Sequence, residues 1–318
     1  MSSVGRGSGG AYVLHLPFAA DDPALKTAPR PVETEDERDY IPRNVFLARS
    51  TDGGRSFTTS TVYEVAESHP DLYNKGVVGA VDPSDPSYVY VGWRQGAYSS
   101  TTQKLKNPIA TSSDGGRTFS PPVEVSTELG ADHPWLAVGR DGTVHAVSWS
   151  RTFGLPDHTP PRPINHSRSA DHGKTWERKE IDPGDDRSYR TPVIAADANS
   201  DSLYVVWFGS PVLRNSELEE ADRSDIFLRS STDGGATWSD RLVINDDSNK
   251  DVNQTYPGIG IAPNGRVDVG WYDGRLSPVP AGYPGSDTSS PRRPTKEEPG
   301  HPTSASATAA VTGRSACG

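Results

Sequence analysis

An eight-residue pattern occurs four times in this chain, and its spacing restricts the fold more than any other feature. The copies are Ser50–Phe57, Ser112–Phe119, Ser169–Trp176 and Ser231–Trp238, each reading Ser-x-Asp-x-Gly-x-x-aromatic. Their aspartates, Asp52, Asp114, Asp171 and Asp233, stand 62, 57 and 62 residues apart. Repetition at such a period means stacked supersecondary units, each too small to bury its own apolar face. The residue types are those of a hairpin turn. The Asp carboxylate accepts from backbone N–H groups just after it, glycine supplies positive φ, and the Ser hydroxyl ties back the strand end. The closing Phe or Trp is expected to tuck beneath the turn as an apolar plug. On this reading the octets are scaffold.

A second repeat interleaves with the first. Short apolar runs at Gly76–Val81, His133–Val138, Arg190–Ala195 and Tyr256–Ile261 each lead through a turn to an alternating strand. Those strands end at Trp93, Trp149, Trp207 and Trp271. Continuous apolar runs suit strands covered on both faces, and alternation suits strands covered on one. Joined, the two repeats make a four-stranded unit: an inner hairpin, a third strand entering the octet turn and a fourth leaving it. The four tryptophans are expected between neighbouring units.

The octet is the Asp-box, and over roughly residues 11–275 the chain resembles the BNR-repeat, sialidase-like β-propellers. The resemblance implies an all-β propeller of four-stranded blades with Asp-box turns. About three blades read as complete and two as partial, fewer than the six of a sialidase propeller. The first blade lacks an evident first strand, and the last stops after Trp271. Residues 1–10 are Ser/Gly-rich and read as a flexible N-terminus. Residues 276–318 are rich in Pro, Ser and Ala and read as a disordered tail. A reading-frame shift is the sharper explanation of that tail: read from the third base of the Ala307 codon, the codons of Ala307–Gly313 can spell Asp-Gly-Gly-Arg-x-Trp, another Asp-box.

Composition narrows the partners. A net charge of −10 argues against nucleic acid and anionic membranes. No apolar run approaches a membrane span, and the first ten residues carry no signal-peptide core. The resemblance implies an extracellular location. Cys317 is the one cysteine, so no intrachain disulfide forms. Metal-site spacings and phosphate-binding loops are missing, and neither cofactor nor metal is expected. The expected partner is a carbohydrate or glycoconjugate, and the expected state is a monomer.

Ligands of propellers bind at the channel mouth, near the starts of the innermost strands. Those starts carry Lys75, Asp132, His133, Tyr189, Arg190 and Tyr256. Tyr189-Arg190-Thr191-Pro192 resembles the Phe/Tyr-Arg-Ile-Pro motif of sialidases, whose Arg grips the sialate carboxylate. A guanidinium fork matches a carboxylate bidentately. In that family the motif opens the first blade; here it opens a late one, where bracing an inter-blade loop is the other reading. The resemblance further implies a Tyr nucleophile and an Asp acid/base, for which Tyr256 and Asp132 are the candidates. Tyr189, His133 and Lys75 would join Arg190 in holding substrate. Arg94, Asp273 and Arg275 are expected on the opposite rim. The function implied is exo-α-sialidase-type glycoside hydrolysis of a terminal, acidic sugar. The alternatives are a non-catalytic propeller that binds glycan or protein, and an inactive fragment.

Overall fold

A computed structural model describes residues 44–69, 71–97, 103–126, 131–150, 152–153, 162–184, 187–211, 224–247 and 253–276, with further strands at 6–7, 10–15 and 306–311. It is an all-β propeller. The first blade comprises β1 (Arg6–Gly7), β2 (Gly10–His15), β3 (Val45–Ser50) and β4 (Thr58–Tyr63). The second has β5 (Leu72–Val81), β6 (Val89–Ala97), β8 (Pro108–Ser112) and β9 (Val123–Glu124). Between them β7 (Gln103–Lys104) forms a side ribbon with β12 (Thr152–Phe153). The third has β10 (Asp132–Val138), β11 (Val144–Trp149), β13 (Ile164–Ser169) and β14 (Glu177–Asp182). The fourth has β15 (Arg187–Ala196), β16 (Leu203–Pro211), β17 (Asp225–Ser231) and β18 (Leu242–Val243). The fifth holds three strands, β19 (Gln254–Ile261), β20 (Val267–Asp273) and β21 (Ser306–Val311).

Blade completeness therefore differs from expectation at both ends. The two-residue β1 pairs with β2, and β21 lies along β20 as a third strand. Neither announces itself in sequence, because one is too short and the other has no Asp-box after it. Pairing register is the same in the first four blades. A residue at or next to the start of the second strand faces the Asp-box serine, as Ala11↔Ser50, Val89↔Ser112, Val144↔Ser169 and Leu203↔Ser231. In the fifth, Val267 faces Val311 instead.

Each Asp-box is a closed set of local hydrogen bonds. In the second copy Ser112 Oγ donates to Asp114 Oδ1 at 2.8 Å and accepts from Gly116 N at 2.8 Å. Asp114 then accepts from Arg117 N, Thr118 N and Thr118 Oγ1 at 2.9, 3.0 and 2.7 Å. These donors hold all four Asp-box carboxyls well below the usual range, Asp233 at about 2.

The core lies between blades, as the tryptophan spacing predicts. Trp93 packs between the first and second blades, Trp149 and Trp207 between the third and fourth, and Trp271 against the fourth. Burying an indole removes 150–250 Å² from water, an upper bound of about 4–6 kcal/mol each. Phe119, Trp176 and Trp238 are partly buried against the inter-blade clusters. Trp176 also closes its own turn, its indole N–H donating to Gly173 O at 3.1 Å, while Trp238 reaches across to His166 of the third blade. Phe57, in the first blade, stays 47% exposed because no described blade precedes it.

Gly235 shows how tightly an Asp-box seats. Its φ is +85°, and a Cβ there would lie 2.5 Å from His166 Cε1 in the neighbouring blade. Gly235→Ala is expected to lower the unfolding free energy by about 2 kcal/mol, combining left-handed strain with displacement of the imidazole. Urea titration checks this; a variant as stable as the parent would mean that the imidazole has room to move.

Candidate functional site at the channel mouth

The first strands of neighbouring blades pack side by side around the channel. Each is antiparallel to its second strand, so the start of one and the end of the other share a rim. This corrects the placement of Arg94, Asp273 and Arg275. Arg94 pairs in register with Lys75, and Asp273 with Gln254, which puts both on the rim of the inner-strand starts.

In the second to fifth blades the inner-strand starts carry the same irregularity. Pairing skips between Lys75 and Val78, Asp132 and Trp135, Arg190 and Val193, and Thr255 and Gly258. At the equivalent residue in each skip the backbone turns left-handed: Gly76 at φ 62°, His133 at 45°, Thr191 at 45° and Tyr256 at 50°. Three of these are not glycine, and Thr191 is β-branched, where left-handed backbone is a true outlier. Bulges re-aim side chains and collect beside functional sites, where backbone strain is also stored. Proline follows in three of the four, at Pro134, Pro192 and Pro257, where a bulge spares the missing donor. That recurring x-Pro could have revealed the ring of bulges in sequence.

Between the second and third blades the bulges assemble a charged cluster. Asp132 is fully buried, and its Oδ1 lies 2.9 Å from Arg94 Nη1 and 2.7 Å from His133 Nδ1. Arg94 is itself 7% exposed, and its Nε has no hydrogen-bond partner. Its guanidinium stands 5.9 Å from the Tyr73 ring centre, with the Lys75 ammonium 5.4 Å from the same ring. His133 is half exposed and leans toward Gly76; a Cβ at Gly76 would come within 3.1 Å of its Cδ2. Glycine is needed there both for φ and for the neighbour's imidazole. Arg94 is the member of this cluster that sequence reasoning missed.

Between the fourth and fifth blades the arrangement is aromatic. Arg190 sits opposite Phe208 in register and has no ion-pair partner among the described residues. Tyr256 is 55% exposed, its ring 5.5 Å from Phe208 and 6.4 Å from Tyr272. Its hydroxyl has no hydrogen-bond partner among the described residues. Tyr189 faces Gly209 in register, and its side chain lies outside the described residues. Asp273 and Arg275 close the edge of this cluster: Arg275 reaches Asp273 at 2.7 Å and Asp246 at 2.6 Å. That pairing raises the Arg275 pKa further, chiefly through the Asp273 hydrogen bond, and lowers those of both carboxyls.

The mouth thus sets Lys75, His133 and Arg190, three groups able to carry positive charge, along successive blades, with an exposed tyrosine on the next. Such a surface can hold an anionic ligand with a ring to stack. No group of three metal-ligating side chains occurs among the described residues. A separate cleft of about 800 Å³ opens on the Asp-box rim, lined in part by Arg140, His145 and Asp201. It is remote from the bulges, and its Arg140–Asp201 pair, 2.8 Å apart, is satisfied within the protein.

Comparison with known proteins agrees with this architecture. The sequence model described as a BNR repeat-like domain matches residues 47–269. No curated protein shows a significant match. A protein of unknown function from Dyadobacter fermentans is 18% identical, with TM-score 0.54, over 83% of this chain and 68% of its own. A PL25 polysaccharide lyase, an ulvan lyase bound to -[GlcA(1-4)Rha3S]-, is 9% identical, with TM-score 0.51, over 85% of this chain and 63% of its own. The GH93 α-L-arabinofuranosidase of Fusarium graminearum with arabinobiose is 18% identical, with TM-score 0.48, over 66% and 59%. At these identities the likeness is one of fold.

Proposed function

The chain belongs to the BNR repeat-like domain family, and from that premise we propose that it is a glycan-active propeller taking an acidic sugar at its channel mouth, with sialidase-type hydrolysis as its activity. The observation that carries this is the ring of four left-handed bulges turning Gly76, His133, Thr191 and Tyr256 onto one rim. Strain repeated at one rim, between blades otherwise built for packing, is spent on presenting side chains. A related scaffold holding -[GlcA(1-4)Rha3S]- supports a glycan as the ligand class.

In this reading Arg190 holds the sugar carboxylate bidentately, and Lys75 adds charge from across the mouth. Tyr256 supplies the nucleophile, since a neutral hydroxyl avoids repulsion with an anionic substrate. Asp132 is too deeply buried to meet a leaving group directly. It orients His133, whose exposed imidazole carries the proton. A specific observation favours the second reading, binding without turnover: no described carboxylate reaches the Tyr256 hydroxyl to activate it.

Hydrolysis of a fluorogenic α-sialoside separates the two. Arg190→Ala is expected to reduce kcat/KM about a hundredfold, the worth of a bidentate charged contact. Binding of the sialoside without turnover would select the binding module. Neither turnover nor binding by folded protein would remove acidic sugars as the ligand class.

A further inference from the structure

The rim opposite the mouth is built from the turns between first and second strands and from the Asp-boxes. In the second and fourth blades turn and Asp-box are tied together, Gly115 N donating to Ser87 O at 2.8 Å and Gly234 N to Asp201 O at 3.0 Å. The third blade departs from this. His172 stands where the other Asp-boxes have glycine, and its ring leaves for the second blade, stacked on Tyr88 with centres 3.8 Å apart. The third-blade turn closes on itself instead, Gly139 N donating to Thr143 O at 2.8 Å. Between that turn and the one of the fourth blade lies the cleft of about 800 Å³. Both turns and both Asp-boxes beside it are fully described.

Charge in the cleft is settled before any ligand arrives. Arg140 of the third blade crosses to Asp201 of the fourth, with Nε–Oδ1 at 2.8 Å and Nη2–Oδ2 at 3.3 Å. Arg168 Nε donates to Glu177 at 2.8 Å. Asp141 accepts from Thr143 N and Oγ1 at 3.0 and 2.8 Å, and Asp233 from the donors of its own Asp-box. Each carboxylate in the lining thus has its donors, which leaves none bare for a cation. Arg140 sits in the field of Asp201, Asp141 and Asp197, which turns an anion away. What remains is hydrogen-bonding capacity without net demand for charge. A guanidinium carries several N–H donors and a carboxylate several lone pairs, and these bonds engage only some of them.

We propose that this cleft is a second carbohydrate site, for an uncharged sugar of disaccharide size, on the rim opposite the acidic-sugar mouth. Neighbouring sugar hydroxyls both donate and accept, which suits the Arg140–Asp201 pair, where N–H groups stand beside carboxylate oxygens. The ion pair already fixes both side chains, so ordering them for a ligand costs little. Ala170 and Ala196 add C–H surface, and Ser202 adds a hydroxyl. The volume falls in the range of about 300–1,000 Å³ typical of small-ligand pockets. No Phe, Tyr or Trp lines the cleft among the described residues, so the affinity is in the millimolar range. The site stands independently of the chemistry assigned to the mouth.

Ligand-observed NMR titration of the full chain with maltose, cellobiose and lactose tests this. At least one of the three binds saturably, with a Kd of about 1–10 mM. Arg140→Ala combined with Asp201→Ala, which removes both charges and strands neither, weakens that binding about tenfold or more. Ala170→Leu narrows the cleft with the ion pair intact, and serves should the double variant fail to fold. Excess N-acetylneuraminic acid leaves the neutral sugar in place, because its carboxylate is suited to the mouth. A folded wild-type chain that binds none of the three at about 50 mM overturns the proposal. So does binding indifferent to both sets of substitutions, or displacement by N-acetylneuraminic acid. Failure of the mouth reading shows in the sialoside assay and leaves this measurement untouched.

Discussion

Asp132→Ala is expected to lower the unfolding free energy by about 3–5 kcal/mol, the loss found when one partner of a buried ion pair is removed. The carboxylate is fully buried, 2.9 Å from Arg94 Nη1, and Arg94 is itself almost inaccessible. Removing it strands a guanidinium whose Nε already lacks a partner. The double variant Arg94→Met, Asp132→Leu is expected to recover most of the loss, because it removes both charges and keeps the volume. Asp132→Asn addresses chemistry instead. Its amide oxygen still accepts from Arg94, so stability falls less, while a proton relay through His133 is broken. Urea unfolding beside sialoside turnover separates the roles. Large destabilisation in Asp132→Ala with full turnover in Asp132→Asn would make the residue structural only. An Asp132→Ala variant as stable as wild type would mean that the pair contributes nothing net.

Features set by neighbours in sequence were legible, and features set by strand pairing were not. The Asp-box bonds run from Ser112 to Thr118 and need no partner beyond the turn, so residue types and spacing sufficed. The inter-blade tryptophans followed from their recurrence. Arg94 was misplaced for one reason: its strand returns antiparallel to the channel mouth, and only the pairing of Lys75 with Arg94 shows it. β21 escaped notice because Ser306–Val311 carries little apolar alternation; it is defined by its register on β20. Of the proposed site, Lys75, Asp132 and His133 share a cluster, whereas Arg190 and Tyr256 belong to the next blades round. The bulges that aim them leave only a weak trace, the repeated x-Pro, because left-handed backbone at His133, Thr191 and Tyr256 runs against local preference.

His145 and His166 were also invisible as a pair. They lie 21 residues apart on adjacent strands, and the pairing of Val147 with His166 makes them neighbours. Their rings stack with centres 5.3 Å apart, Nδ1 of His145 and Nε2 of His166 share a hydrogen bond of 3.1 Å, and Trp238 closes over His166 edge-on. Burial drives both imidazoles toward the neutral form. It lowers His145 to about 4, and lowers His166 to about 3 with a further contribution from His145. In the unfolded chain both titrate near 6.5, so below that value the unfolded state binds more protons than the folded one. Stability from the pair is therefore complete above pH 6.5 and is lost as pH falls toward 4, by up to roughly 1.4 kcal/mol per pH unit for each ring. The Asp-box carboxyls follow in a lower window, between their ordinary value of 3.8 and about 2 or below. The expected result is a two-stage acid response, with several kcal/mol lost before any Asp-box titrates. Urea unfolding at half-unit steps from pH 7.5 to 4.5 measures the first stage. His145→Gln with His166→Gln keeps an amide pair able to share a hydrogen bond and is expected to flatten the curve there. A wild-type curve already flat from 6.5 to 4.5 would mean that the third blade admits a proton without opening, and the seating of Trp238 on His166 would then not depend on neutral rings.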